Sequence, residues 1–280
     1  KGRMRKGQEG RRKKEKRRNG ASADLRLCSE SDGLIFMKDS VLQSSALKRS
    51  ILPLLFLAGL VFWTWFFQAG QFSVSHNDWP KEYLYYHHLG EALREGGLPL
   101  YVGFSAQRTN AFLANPEVNL SPAVLLLLFV GPKLFLFLNV LVVYAFGFWG
   151  LVRWVKLHGL GAAATILLFS IWTLNGHLLA HLAVGHSMWA GALLVPWFFV
   201  ALEQLRAWPE EKLGAVVALP LVFAGLLSLG SVHLSAWWVF FLILLAIFRG
   251  RKAVPVLAAL GLCGVVGAFR FLPAVFVYGK

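Results

Sequence analysis

Between Lys156 and Glu203 the chain runs for 46 residues without one Asp, Glu, Lys or Arg. A helix crossing a hydrocarbon core of ~30 Å at ~1.5 Å per residue needs about 20 mostly apolar residues. The run therefore reads as two membrane crossings placed back to back. The same test finds others along the chain. Residues 51–67 carry no charge, 19 residues between Lys133 and Arg153 make another span, and 36 between Lys212 and Arg249 make two tight ones. A last segment, 253–278, is interrupted only by Arg270. Seven spans are expected. Composition agrees, with 57% hydrophobic and 15% charged residues, against about 25% charged in soluble domains. A soluble enzyme, a disordered protein and a disulfide scaffold are excluded. The expected fold class is an all-α integral membrane protein.

The net charge of +14 looks like a nucleic-acid signal until it is divided along the chain. Residues 1–50 hold 15 Lys/Arg against 6 Asp/Glu, and the remainder holds 13 against 8. The excess is concentrated in residues 1–18, a Gly- and Lys/Arg-rich run without apolar periodicity, which reads as a solvated cytoplasmic tail. Residues 1–48 are assigned to that tail, and no nucleic-acid partner is expected. Met37 opens a short basic lead into the first span, so residues 1–36 are expected to lie outside the natural protein. The transmembrane domain then occupies residues 49–280. Cys28 and Cys263 are too far apart in kind of segment to meet, and no Cys/His zinc spacing exists.

Lys and Arg accumulate in short cytoplasmic loops. With the N-terminus inside, the inner loops are 153–158, 206–212 and 249–252, and each is basic. Residues 122–130 are apolar but too short to cross, and counting them would invert every later loop. They are expected as a re-entrant or interfacial half-helix on the outer side, where irregular backbone needs protein or water around it. The outer face then receives the loop 70–121, the turns at 177–186 and 230–233, and the end of the last span. His76, His87, His88, His181, His186 and His233 all fall there, with His177 at the boundary.

In the outer loop Asp78 is placed to cap a helix whose first turn holds Pro80, and Gly96 or Gly97 to end it. Tyr83, Tyr86, Gly90 and Leu93 share one face at helical spacing, which describes an amphipathic helix on the membrane surface. Trp79, Tyr83, Tyr85, Tyr86 and Tyr101 read first as an interfacial aromatic belt and second as stacking surfaces for a sugar. His177 and His181 have a zinc-like i, i+4 spacing, but no Glu follows in the H-E-x-x-H manner. The metal is left unknown, and a polar wall of an outer cavity is the first reading of these histidines.

Several short motifs follow in order: Gly97-Leu98-Pro99-Leu100-Tyr101, Phe112-Leu113-Ala114-Asn115-Pro116 leading to Ser121-Pro122, Gly185-His186 before Trp189 and Pro196-Trp197, and Gly267 through Leu272-Pro273. Together they resemble the YfhO-like bacterial multi-pass membrane proteins, within the wider GT-C fold of membrane glycosyltransferases. The resemblance covers about residues 45–280. It implies further spans beyond Lys280, location in a bacterial inner membrane, and transfer of a sugar from a polyprenyl-phosphate donor to a glycan, lipid or protein acceptor at the outer face. Asp78, the one Asp between residues 40 and 280, is then the expected catalytic base. Arg270, in an apolar helix where charge is costly, is the expected donor-phosphate ligand, with Arg108, His186 and His181 as further candidates. Glu82 and Glu117 are alternatives for the base or ligands for a divalent cation. The rival class is a transporter, flippase or polymer-handling protein without catalysis.

Overall fold

The computed structural model describes residues 51–68, 77–97, 112–115, 117–206 and 214–278. The expectations placed on His76, Tyr101, Arg108 and the basic tail lie outside these residues. The elements are α1 (Ile51–Gln68), α2 (Trp79–Arg94), α3 (Pro132–Leu157), α4 (Ala162–Thr173), α5 (Gly176–Ala183), α6 (Val195–Arg206), α7 (Gly214–Ser228), α8 (Val232–Arg249) and α9 (Val254–Tyr278). Short 3₁₀ helices occupy Pro122–Leu128, Ser187–Leu194 and Gly250–Ala253. The described residues contain no strand.

Six segments have the length and apolarity to cross a membrane: Ile51–Gln68, Pro132–Leu157, Ala162–Ala183, Ser187–Arg206, Val232–Arg249 and Val254–Phe276. The seventh expected span, α7, has only 15 residues, about 22 Å of helix. The charge-free run after Lys212 is divided unequally by the turn at Leu229–Ser231, and α7 receives the smaller share. It packs between α6 and α9 with Leu219, Phe223, Leu226 and Leu227 buried. Protein therefore covers much of it. The segment Ala162–Ala183 is also broken. Asn175 stands between α4 and α5, and its Oδ1 accepts the N–H groups of His177 (3.0 Å) and Leu178 (3.1 Å).

The spans differ in how much protein surrounds them. Pro132–Leu157 and Ser187–Arg206 are 56% buried, whereas α1 and α8 are 22% buried. Trp65, Trp237 and Phe248 stand exposed on the poorly buried helices, as side chains facing lipid do. Close approach at the centre depends on small residues. A Cβ at Gly147 would stand 2.0 Å from the carbonyl oxygen of Leu193, and one at Gly150 would stand 2.8 Å from the Trp197 ring.

Helix α2 forms where expected but turns a different face inward. Trp79, Glu82, Tyr85, Tyr86, Leu89 and Gly90 are buried, while Tyr83 is 37% exposed. The helix packs on the 3₁₀ turn Pro122–Leu128 and on α3, so it lies against protein. Its polar residues choose the face, because Glu82 and Tyr86 find partners below it. Gly96 ends it in the left-handed region (φ +77°), with Gly96 N–H donating to Leu93 and Gly97 N–H to Ala92, the double bond of a Schellman ending. The apolar piece after Ser121 forms the short 3₁₀ helix Pro122–Leu128. Ser121 Oγ accepts the Ala123 N–H, and Arg94 Nη2 donates to the Leu127 carbonyl at 2.7 Å, so its orphan end groups are met.

Candidate functional site

Asp78 occupies the N-cap position of α2, yet its side chain makes no capping hydrogen bond. Its Oδ2 instead lies 2.9 Å from Nε2 of His186. The neighbouring backbone explains this choice. Asp78 N–H donates to the Val184 carbonyl (3.0 Å) and Trp79 Nε1–H to the Ala183 carbonyl (3.1 Å), so the turn after α5 is docked against the start of α2. Gly185 makes that docking possible. It has φ +99°, and a Cβ there would stand 2.6 Å from the Trp79 nitrogen. Gly185→Ala is expected to cost about 1–3 kcal/mol for the strained backbone alone and to separate Asp78 from His186. Thermal unfolding in detergent checks the first effect, and loss of activity with the fold retained checks the second.

The imidazole of His186 continues into a cluster. Its Nδ1 lies 2.8 Å from Nδ1 of His181. His181 stacks on Trp189 with ring centroids 4.1 Å apart and planes 9° from parallel, and His177 stands edge-on to both at 4.5 and 4.7 Å. His233 lies parallel to Trp189 at 6.1 Å. His177 and Trp189 also line an apolar cavity of about 430 Å³ with Trp154, Trp172, Asn175 and Phe199, a volume within the range of small-molecule pockets. Trp154 and Trp172 each have a buried indole N–H without a hydrogen-bond partner among the described residues. No group of three or more His, Cys, Asp or Glu converges as metal ligands among the described residues. The zinc-like spacing of His177 and His181 is spent on ring stacking.

Beneath α2 lies a second polar network. Glu82 and Glu117 are each 1% exposed. Ser187 Oγ donates to Glu82 Oε2 at 2.7 Å, Tyr86 OH lies 3.3 Å from Ser187 Oγ, and Val118 N–H donates to Tyr86 OH. Lys81 Nζ pairs with Glu117 Oε1 at 3.2 Å. Burial, and then the Glu117 carboxylate beside it, hold the Glu82 carboxyl well above the usual range, although Ser187 and Lys81 pull the other way. Burial also pushes Tyr85 up to about 12. Neither Glu faces the surface. Because the folded state raises the Glu82 carboxyl, its contribution to stability is complete below the ordinary glutamate pKa near ~4.3 and is lost as pH rises through the raised one. Wild-type thermal stability should therefore fall as pH rises above ~4.3, and Glu82→Gln should flatten that slope.

Arg270 is enclosed by backbone carbonyls. The guanidinium is 2% exposed, and all five N–H groups are taken. Nε donates to the Leu227 carbonyl (3.1 Å), Nη1 to those of Phe112 (3.4 Å) and Leu113 (3.0 Å), and Nη2 to the Glu117 carbonyl and Asn119 Oδ1, both at 2.6 Å. An Arg has five such donors, so none is left for a phosphate. The residue is a clamp tying residues 112–119 to α7 and α9. Asn119 extends it to α2 by donating to Tyr85 OH at 2.9 Å.

Of the residues singled out in the sequence, Asp78, His181 and His186 come together, with both nitrogens of His186 occupied. Glu82, Glu117 and Arg270 form the framework below them. Trp79, Tyr85 and Tyr86 are buried and present no face to a sugar. The sequence reading passed over Ser187 and Asn119 as functional parts. Their signal was slight, since each is a lone small polar residue, Asn119 between Val118 and Leu120 and Ser187 between His186 and Met188. No protein-family model matches the chain, and neither a curated protein nor a solved structure is similar to it.

Proposed function

We propose that the chain is a membrane-embedded glycosyltransferase of the GT-C kind, which moves a sugar from a polyprenyl-phosphate donor to an acceptor hydroxyl at the outer face of a bacterial inner membrane. The observation that carries the reading is the Asp78 carboxylate. It is drawn off its helix cap, 53% exposed, and joined through His186 and His181 to Trp189, which lines an apolar cavity between the spans. A phosphate is already a good leaving group, so one basic centre suffices, whereas glycosidases need paired carboxylates. The cavity supplies an apolar volume for part of the lipid, and the order of motifs resembling the YfhO-like group supplies the reaction type. With Arg270 committed to protein carbonyls, the phosphate falls to the imidazole cluster and to Arg108.

A flippase or polymer-handling protein is the second reading, favoured by the break at Asn175 inside an apolar segment, since interrupted helices mark transport sites. Vesicles carrying the protein in one orientation separate the two. Given a labelled polyprenyl-phosphate hexose and an acceptor that cannot cross the bilayer, the transferase labels the acceptor from the Asp78 side. A flippase moves the donor and leaves it intact. The same vesicles test the orientation. Cysteines introduced at His87 and His158, with Cys28 and Cys263 replaced, should react with an impermeant thiol reagent from outside and inside respectively. Reaction from one side only would overturn the topology.

A further inference from the structure

We propose that Asp78, His186 and His181 act as one proton relay whose accepting atom is Nε2 of His181, and that this atom takes the acceptor hydroxyl's proton during sugar transfer. The inference deepens the transferase reading and depends on it for the substrate.

Two contacts fix where the protons lie. An ionised carboxylate only accepts hydrogen bonds, so at 2.9 Å from Asp78 Oδ2 the Nε2 of His186 must carry the proton. In a neutral imidazole the other nitrogen is then an acceptor. The Nδ1 atoms of His186 and His181 lie 2.8 Å apart, and that contact needs one proton between them, which comes from His181. A neutral His181 with its proton on Nδ1 has its lone pair on Nε2. That atom has no hydrogen-bond partner among the described residues. The ring is held in place by the face of Trp189 at 4.1 Å, and Trp189 walls the cavity.

The same geometry gives the relay somewhere to put the charge. The acceptor oxygen forms its bond to the anomeric carbon, and the bond from that carbon to the phosphate oxygen breaks, with its electron pair leaving on the phosphate. The hydroxyl proton passes to Nε2 of His181. His181 passes its Nδ1 proton to Nδ1 of His186, and the positive charge comes to rest on His186 against the Asp78 carboxylate. Carboxylates as a class titrate near ~4 and imidazoles near ~6.5, so an imidazole is the better matched base near neutral pH. In this scheme Asp78 is a positioning residue and His181 the catalytic one. The other titratable neighbours are His177, edge-on to His181, and His233, beyond Trp189.

The full chain, ¹⁵N-labelled at histidine and held in lipid nanodiscs at mildly alkaline pH, tests the relay without a sugar. His181 should show a protonated Nδ1 and an unprotonated Nε2, and His186 the reverse. Asp78→Leu, which removes the acceptor, should abolish this ordering in both rings. A His181 protonated on Nε2 in the wild-type protein would overturn the proposal. A second readout uses diethyl pyrocarbonate, which attacks unprotonated imidazole nitrogen. His181 should be the fastest-modified histidine of the cluster and lose that lead in Asp78→Leu; an equal rate in both proteins would count against the relay. In the transfer assay His181→Phe, which keeps the stack on Trp189, should be as inactive as Asp78→Asn, and wild-type turnover there would remove the base role. If the ring protons are ordered as expected but the wild-type protein transfers no sugar, the relay stands and the transferase reading fails.

Discussion

Asp78→Asn is expected to lower sugar transfer by about 10²–10⁴-fold, the range of a general-base contribution, because the relay through His186 to His181 loses the carboxylate that orders it, while the protein still inserts, folds and takes up its lipid donor. The separation of these effects follows from the geometry. A side chain that capped α2 would be replaced by Asn with little change, since both residues cap well. Here the side chain caps nothing. Its one side-chain partner among the described residues is His186, at 2.9 Å, and what Asn removes is the negative charge facing that imidazole. Asn77 beside it already holds a positive φ of 54°, a conformation Asn tolerates better than most residues, so the turn itself is not disturbed. Turnover, donor binding and thermal unfolding measured on one preparation check all three parts. Ordinary turnover in Asp78→Asn would remove chemistry from this turn.

The second large effect belongs to Arg270. Arg270→Ala is expected to unfold the end of the molecule that carries residues 112–119, because four backbone carbonyls and the Asn119 amide oxygen lose their donor at once. A hydrogen bond to a charged group is worth about 1.5–3 kcal/mol, so the loss amounts to several kcal/mol even with strong overlap among the five. Arg270→Lys keeps the charge and has three donors without the planar fork, so it should recover only part of the stability. The readout is thermal unfolding in detergent. A phosphate ligand would behave differently, with unchanged unfolding and weakened donor binding.

These two residues show what the sequence could and could not convey. Asp78 was legible because acidic residues are scarce here and the loop around it carries Pro and Gly at helix-boundary positions. The spans were legible because charge is excluded from long stretches. What a one-dimensional reading could not see is where a side chain's hydrogen bonds go. Arg270 in an apolar helix reads as costly and therefore functional, and only the fold reveals carbonyls from residues 112–117 converging on it across 150 positions of sequence. Glu82 and Glu117 have the composition of an active-site pair, and burial under α2 takes them out of reach. The turn dividing the 213–248 run was legible at 230–233, and what was missed is that α7 before it has only 15 residues. The pairing of Asp78 with His186, 108 residues apart, had one local sign, the glycine before the histidine, and its meaning came from a positive φ and from the lack of room for a Cβ.

The central claim is that a sugar–phosphate bond is broken at the Asp78 end of the molecule. Its most direct test is the fate of the lipid. Purified wild-type protein in liposomes, supplied with a polyprenyl-phosphate hexose and an acceptor glycan, should convert the donor to bare polyprenyl phosphate with an equal gain of hexose on the acceptor, read by mass spectrometry, and Asp78→Asn should leave the donor whole. Donor that is redistributed across the bilayer with its sugar still attached, equally in both proteins, would contradict the account.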